Sequence, residues 1–141
     1  MRYIFYTIFS KNIYVKKENK EWIKILSSEE FMILREESTE MAGSSDLNDE
    51  KRKGSYHCVG CDQKLFSSEM KYDSGSGWPS FFQSFENVFE TKTDHLQGYP
   101  RTEYHCIKCG GHHGHIFDDG PKPTGKRYCN NGKVLTFKEE K

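Results

Sequence analysis

The chain has 141 residues and carries 21 Lys+Arg against 21 Asp+Glu, a formal charge of zero, so no global field favours nucleic acid or an anionic membrane surface. That length is one domain's worth, and an apolar fraction of 34% is lean enough that something besides burial should help hold it together. The most hydrophobic run, residues 3–9, is far too short to cross a bilayer.

The first segment, MRYIFYTIFSKNIYVKK, contains Arg2, Lys11, Lys16 and Lys17 but no acid. Such a composition suits either an organelle-targeting segment or a poorly ordered extension, and we read residues 1–19 as an extension and 20–141 as the folded domain. The expected compartment is the cytoplasm, with the mitochondrion as the alternative the basic segment leaves open. Residues 20–37 read as helical, because Ser27 and Glu30 form a capping box and Phe31 and Leu34 follow at helical spacing. Trp22, Ile25 and Leu26 are expected to pack just ahead of it. Residues 38–54 are polar and charged, too poor in apolar side chains for a core element, and read as a loop crossing the surface.

From residue 55 onward the texture changes to short aromatic and β-branched runs divided by Gly, Pro and Asp clusters, which predicts several short antiparallel strands. They are placed at 56–59, 64–66, 88–91, 102–107, 115–117, 127–130 and 134–137. DSGSGWPSFF and FDDGPKPTGKRY are loops whose aromatic and charged groups exceed what a linker needs.

Four of the five cysteines form two C-x-x-C pairs, Cys58 with Cys61 and Cys106 with Cys109. Each pair presents two thiolates at one knuckle, and two knuckles that meet supply the four soft ligands of a tetrahedral structural zinc. Two disulfides or one redox-active pair are the competing readings, but neither a secretion signal nor a thioredoxin-like pattern accompanies them. His57 and His105, each directly before a knuckle, are ordinary neighbours when four thiolates are available.

Cys129 is left over, and a free thiol is either a small buried hydrophobe or a nucleophile. If residues 127–131 are extended, Arg127, Cys129 and Asn131 share one face. The guanidinium there favours the thiolate and the amide can orient an oxygen. His112 and His115 lie in CGGHHGHIFDDG, where imidazoles can move protons near neutral pH or, as an alternative, form a second metal site. Asp118 and Asp119 either shape the turn before Gly120-Pro121 or support an active-site group.

The motifs GSYHCVGCDQKLF, KYDSGSGWPSFF, RTEYHCIKCGGHHGHIFDDGPKPTGKRYCNN and EWIKILSSEEFMILRE, in their order along residues 20–138, resemble the B-type methionine sulfoxide reductases. The resemblance implies a mainly β fold of two small antiparallel sheets in a barrel-like arrangement, with an N-terminal helix and a structural Zn2+ joining the knuckles. It implies that Cys129 attacks the sulfur of methionine-R-sulfoxide and is left as a sulfenic acid, which a thiol donor reduces. His112, His115 and Asn131 are assigned to the polar pocket, Arg127 to its support, and Trp78 to the apolar wall that receives the S-methyl group.

This chain departs from the family pattern in several places. Asp73 occupies a position where a resolving cysteine is often found, and no cysteine precedes Cys58, so thioredoxin, glutathione or another small thiol is expected to act directly on the sulfenic acid. His113 stands where leucine is usual, Gly132 where serine is usual, and Met41-Ala42-Gly43 lacks a common aromatic residue. The expected partners are proteins with oxidised methionine and a thiol reductant, with no nucleic acid or membrane and no requirement for more than a monomer. The rival readings are a zinc ribbon that binds nucleic acid or protein, which should show a basic, aromatic-laced face, and a relative that uses its surface to bind a partner.

Overall fold

The computed structural model describes residues 14–141; the part of the basic N-terminal segment that includes Arg2 and Lys11 lies outside the described residues. Within them, Val15 packs against the core and donates its backbone N–H to the Lys108 carbonyl, so the end of the extension is attached to the domain.

The expected single helix is two: α1, Asn19–Ile25, and α2, Ser28–Glu36. The break follows from the capping box itself. Ser27 has extended backbone and accepts from the Glu30 N–H at 3.1 Å, while the Glu30 carboxylate takes the Ser27 N–H at 2.9 Å; such a box begins a helix and cannot lie in the middle of one. Trp22 and Leu26 are buried as expected, but Ile25 is 58% exposed. The chain leaves α1 at Leu26, so the buried stripe is only the Trp22–Leu26 edge, and Ile25 lies off it.

Nine strands follow: β1 (Gly54–Cys58), β2 (Lys64–Ser67), β3 (Lys71–Tyr72), β4 (Ser80–Phe81), β5 (Phe89–Asp94), β6 (Arg101–Cys106), β7 (His112–Phe117), β8 (Arg127–Asn130) and β9 (Leu135–Glu139). The two-residue strands β3 and β4 flank the Gly-rich loop and carry no alternation of their own, which is why they are invisible to sequence pattern. All ladders are antiparallel, in a three-stranded sheet β2-β1-β9 and a six-stranded sheet β3-β4-β8-β7-β6-β5. Among the described residues the two antiparallel sheets do not close into a barrel: β2 and β9 are the edges of one sheet and β3 and β5 of the other, and the two sheets are joined through their side chains.

Aromatic rings do the joining. Phe66 of the small sheet stacks on Phe81 of the large one with centroids 3.8 Å apart, and Tyr56 meets Phe81 edge-on at 5.1 Å. Each such pair contributes roughly 0.5–1.5 kcal/mol beyond its buried area. The helices cap the cysteine end: Arg35 lies over the Trp22 ring at 5.0 Å and donates to the Cys109 carbonyl at 2.8 Å.

Two details of the large sheet place the chemistry. At Gly114, a Cβ would stand 1.9 Å from the Cys129 carbonyl oxygen, so only glycine lets β7 approach β8 this closely. In the β6–β7 ladder, Tyr104 faces Gly114 while His105 faces His112, leaving His113 as an extra, bulged residue. Strict alternation would send His112 and His115 to opposite faces. The bulge instead brings their rings to 5.6 Å.

Candidate active site and metal centre

The two knuckles meet. Cys58, Cys61, Cys106 and Cys109 place their sulfurs within 4.8 Å of one another, with Cys58–Cys109 at 3.7 Å and Cys61–Cys106 at 3.5 Å. Disulfides need about 2.05 Å, and all five cysteines are free. A tetrahedral ion with sulfur ligands at about 2.3 Å sets neighbouring sulfurs about 3.8 Å apart, so these four can hold one metal ion with little movement. His57 is occupied elsewhere, by the Ser55 hydroxyl and the Asp62 carbonyl, and His105 faces Glu103 and Glu37; neither replaces a thiolate.

His113 takes the position where leucine is usual, and it points inward. It is fully buried, with Nε2 3.3 Å from Cys58 Sγ and Nδ1 3.3 Å from Asn130 Nδ2. Tyr104 donates its hydroxyl to Asn130 Oδ1, which fixes the amide so that its N–H faces His113 Nδ1. Nε2 therefore carries the ring proton and donates it to Cys58.

Cys129 lies on β8 opposite both Ser80 of β4 and His115 of β7. It opens into a cleft of about 250 Å³ whose walls include Ser76, Trp78, Arg101, His115, Phe117, Arg127 and Asn131. The predicted common face of Arg127, Cys129 and Asn131 is present, although regular strand ends at Asn130. Burial pushes the Cys129 thiol above its ordinary value, and the Arg127 cation and Ser76 hydroxyl pull it partly back. Arg127 is itself held by Asp119, through Nε at 2.9 Å and Nη2 at 3.1 Å, and its guanidinium lies 4.3 Å from the Phe117 ring centroid. Asp119 thus serves the cleft through Arg127, whereas the exposed Asp118 pairs with Lys126.

Trp78 and Asn131 share an anchor that the sequence did not reveal. The indole N–H donates to the Glu40 carbonyl at 3.1 Å, and Asn131 Oδ1 accepts the Glu40 backbone N–H at 3.0 Å. The Glu40 side chain is buried and accepts the Lys133 N–H; burial raises its carboxyl above the usual range. The loop that should merely cross the surface is therefore pinned inside. Gly77, at φ 95°, receives it, accepting from Gly43 N–H at 2.7 Å. Asn131 Nδ2 also donates to the His113 carbonyl, so its amide clamps three segments at the cleft and retains one free N–H.

This framework matches a known domain: the SelR domain profile covers residues 26–139. The chain belongs to the MsrB family of peptide methionine sulfoxide reductases. It is 48% identical over 130 residues to the peptide methionine sulfoxide reductase MsrB of Leptospira interrogans, covering 92% of this chain and 99% of that protein. It is 47% identical to the MsrB of Methanosarcina barkeri, covering 89% of each. It is 45% identical to the chloroplastic peptide methionine sulfoxide reductase B1 of Arabidopsis thaliana, covering 89% of this chain and 62% of that protein.

In this family member the two histidines of the pocket differ in placement. His115 lines the cleft, with Nε2 2.9 Å from Asp94 Oδ2. His112 stands behind it, buried, with neither ring nitrogen hydrogen-bonded. Burial drives its pKa down to about 3, which leaves it uncharged at neutral pH rather than a ready proton donor. Glu103, buried between His112 and His115 at 4.0 Å from each, is a further polar residue, inside the RTEYHC motif but without a role assigned from sequence. The imidazole–carboxylate groups around Glu103 and Asp94 are close enough to hold a metal, but Lys92 at 3.3 Å and Arg101 at 3.0 Å already neutralise those carboxylates. No helix among the described residues is long and apolar enough to cross a membrane.

Proposed function

We propose that this chain reduces methionine-R-sulfoxide in proteins to methionine, with Cys129 as the nucleophile. The reading is carried by one observation: in a member of the MsrB family, the one cysteine outside the four-sulfur cluster opens into a cleft shared with His115, Arg127, Asn131 and Trp78. The Cys129 thiolate bonds to the sulfoxide sulfur as its oxygen is protonated, and the hydroxyl then passes to the Cys129 sulfur while the S–S and old S–O bonds break. Methionine leaves two electrons reduced, and the oxygen remains on Cys129 as a sulfenic acid.

The side chains suit these tasks. Arg127 favours the thiolate, Trp78 presents an apolar face for the S-methyl group with its N–H already satisfied, and Asn131 offers its free N–H to the oxygen. His115 supplies the proton, and His112 shapes the pocket from behind. An external thiol, thioredoxin or a small thiol such as glutathione, condenses with the sulfenic acid to release water, and a second thiol frees Cys129. No partner cysteine stands at Asp73, which is exposed and closes a turn on the Gly75 N–H.

The ion we assign to Cys58, Cys61, Cys106 and Cys109 is zinc, which supplies no chemistry to the reaction and fixes the two knuckles to each other. We assign the reductase unit to residues 20–141, acting as a monomer. Four reduced thiols held in one cluster suit a reducing compartment such as the cytoplasm.

The test is reduction of methionine-R-sulfoxide with dithiothreitol by the wild type and by Cys129→Ser. Activity in the wild type and none in the variant is expected, with a sulfenic acid or mixed disulfide found on Cys129 after one turnover without reductant. Activity that survives the substitution overturns the assignment of Cys129; an inactive zinc-loaded wild type overturns the reductase reading.

A further inference from the structure

We propose that Asp94 is a positioning residue for this reaction: it fixes the tautomer and direction of His115 so that Nδ1 serves the cleft. The proposal rests on the reading of the Cys129 cleft as the active site. A row of side chains crosses the large sheet on one face, in register from Cys129 of β8 through His115 of β7 and Glu103 of β6 to Lys92 of β5. Asp94, two pairs further along β5 and so on the same face, pairs with Arg101 and reaches diagonally to His115.

The carboxylate is held on every side. Asp94 Oδ1 accepts the Leu96 backbone N–H at 2.9 Å, and Oδ2 accepts from Arg101 Nη2 at 3.0 Å and from His115 Nε2 at 2.9 Å. The Leu96 N–H, followed by His115 and Arg101, holds the carboxyl well below the usual carboxylate range. An ionised carboxylate can only accept. His115 must therefore keep a proton on Nε2 in both of its protonation states, and Nδ1 is the nitrogen left for the cleft that His115 and Arg101 line together.

That assignment completes the proton path. As the Cys129 thiolate, its own proton already lost to solvent, bonds to the sulfoxide sulfur, Nδ1–H passes its proton to the sulfoxide oxygen; the hydroxyl then moves to the Cys129 sulfur and the S–S bond breaks as the sulfide departs. The neutral imidazole left behind, with Nε2–H still on Asp94, takes up a proton from solvent, which balances the one that the Cys129 thiol gave up on ionising. Without the carboxylate the ring can turn over or adopt the other tautomer, presenting the wrong nitrogen. The other groups facing His115 do not substitute: Glu103 is 4.0 Å away and shared with Lys92 and His105, and the His112 ring is 5.6 Å away without a carboxylate partner of its own within hydrogen-bond reach.

Two readouts on the full, zinc-loaded chain test this. The first is ¹⁵N NMR of the His115 ring in the wild type and in Asp94→Asn, which needs no turnover. The wild type should show the Nε2–H tautomer when neutral, and the variant should lose it. The second is steady-state kinetics on methionine-R-sulfoxide with dithiothreitol. Asp94→Asn should lower kcat at least tenfold, since a positioned general acid contributes on the order of 10²–10⁴, with KM little changed; Asp94→Glu should recover part of the loss. An Nδ1–H tautomer in the wild type, or a folded Asp94→Asn enzyme with full kcat, overturns the proposal. An inactive wild type alongside the expected tautomer instead overturns the reductase reading on which it rests.

Discussion

His113 Nε2 lies 3.3 Å from Cys58 Sγ, so a hydrogen bond ties β7, the neighbour of the strand that carries Cys129, to the cysteine cluster. On the other side of the ring, Nδ1 meets Asn130, the residue next to Cys129. The substitution His113→Leu keeps a buried side chain of similar bulk but removes the donor to the Cys58 thiolate. Outer hydrogen bonds of this kind are worth about 10–100-fold in metal affinity. Zinc should therefore leave the variant roughly tenfold faster in a chelator challenge, while the fold survives; equal release rates would show that the contact does not reach the thiolate.

The cluster itself predicts a coupled loss. Its two halves lie on elements far apart in sequence, Cys58 at the end of β1 and Cys106 at the end of β6, and the helices rest on it through Arg35 and the Cys109 carbonyl. Cys58→Ser should lose both bound zinc and thermal stability, because a metal bound only by the folded state contributes its binding free energy to folding. Metal analysis beside a melting curve checks this, and a variant that melts normally without zinc would falsify the staple.

What the sequence disclosed about this site was whatever depends on local spacing. The C-x-x-C pairs are ligand sets over four residues, and the common face of Arg127, Cys129 and Asn131 follows from a two-residue period. What stayed hidden depends on closure over long distances or on broken periods. Glu40 is 91 residues from the Asn131 side chain that holds it, in a segment whose polar composition gave no hint of burial. Asp94 reaches His115 only because β6 lies between their strands. The approach of His112 to His115 needs the bulge at His113, and bulges leave no mark in hydrophobic pattern. The helix break at Ser27 was written in the capping box, since a cap is a beginning.

Arg127 acts on Cys129 against burial, and the balance has a sign. Burial raises the thiol and the guanidinium lowers it, so Arg127→Gln should raise it further and leave less thiolate at any given pH. Asp119 already neutralises part of the cation, which places the effect at the low end of the one to three pK units typical of a neighbouring charge. Alkylation of Cys129 by iodoacetamide at pH 8 should slow by about tenfold. The full rate should return at higher pH; a variant that alkylates as fast as the wild type at pH 8 would show that Arg127 serves packing alone.

His112 makes stability depend on pH in a defined window. Its folded pKa is about 3 against an ordinary 6.5, with burial the leading cause and the neighbouring histidines adding to it. Above pH 6.5 the ring is neutral in both folded and unfolded chains and costs nothing. As pH falls below that, the unfolded chain takes up a proton that the folded chain refuses, so stability declines until the folded value is reached. One pK unit corresponds to about 1.4 kcal/mol, so the loss at pH 5 from this group is on the order of 2 kcal/mol. Acid also protonates the four thiolates of the cluster, and His112→Gln separates the two effects because it keeps the cluster and removes the ring. Urea unfolding at pH 7 and pH 5 should show a smaller decline in the variant than in the wild type. Equal declines would mean that His112 reaches solvent or a partner when it takes up its proton, and that its burial does not govern the acid limb.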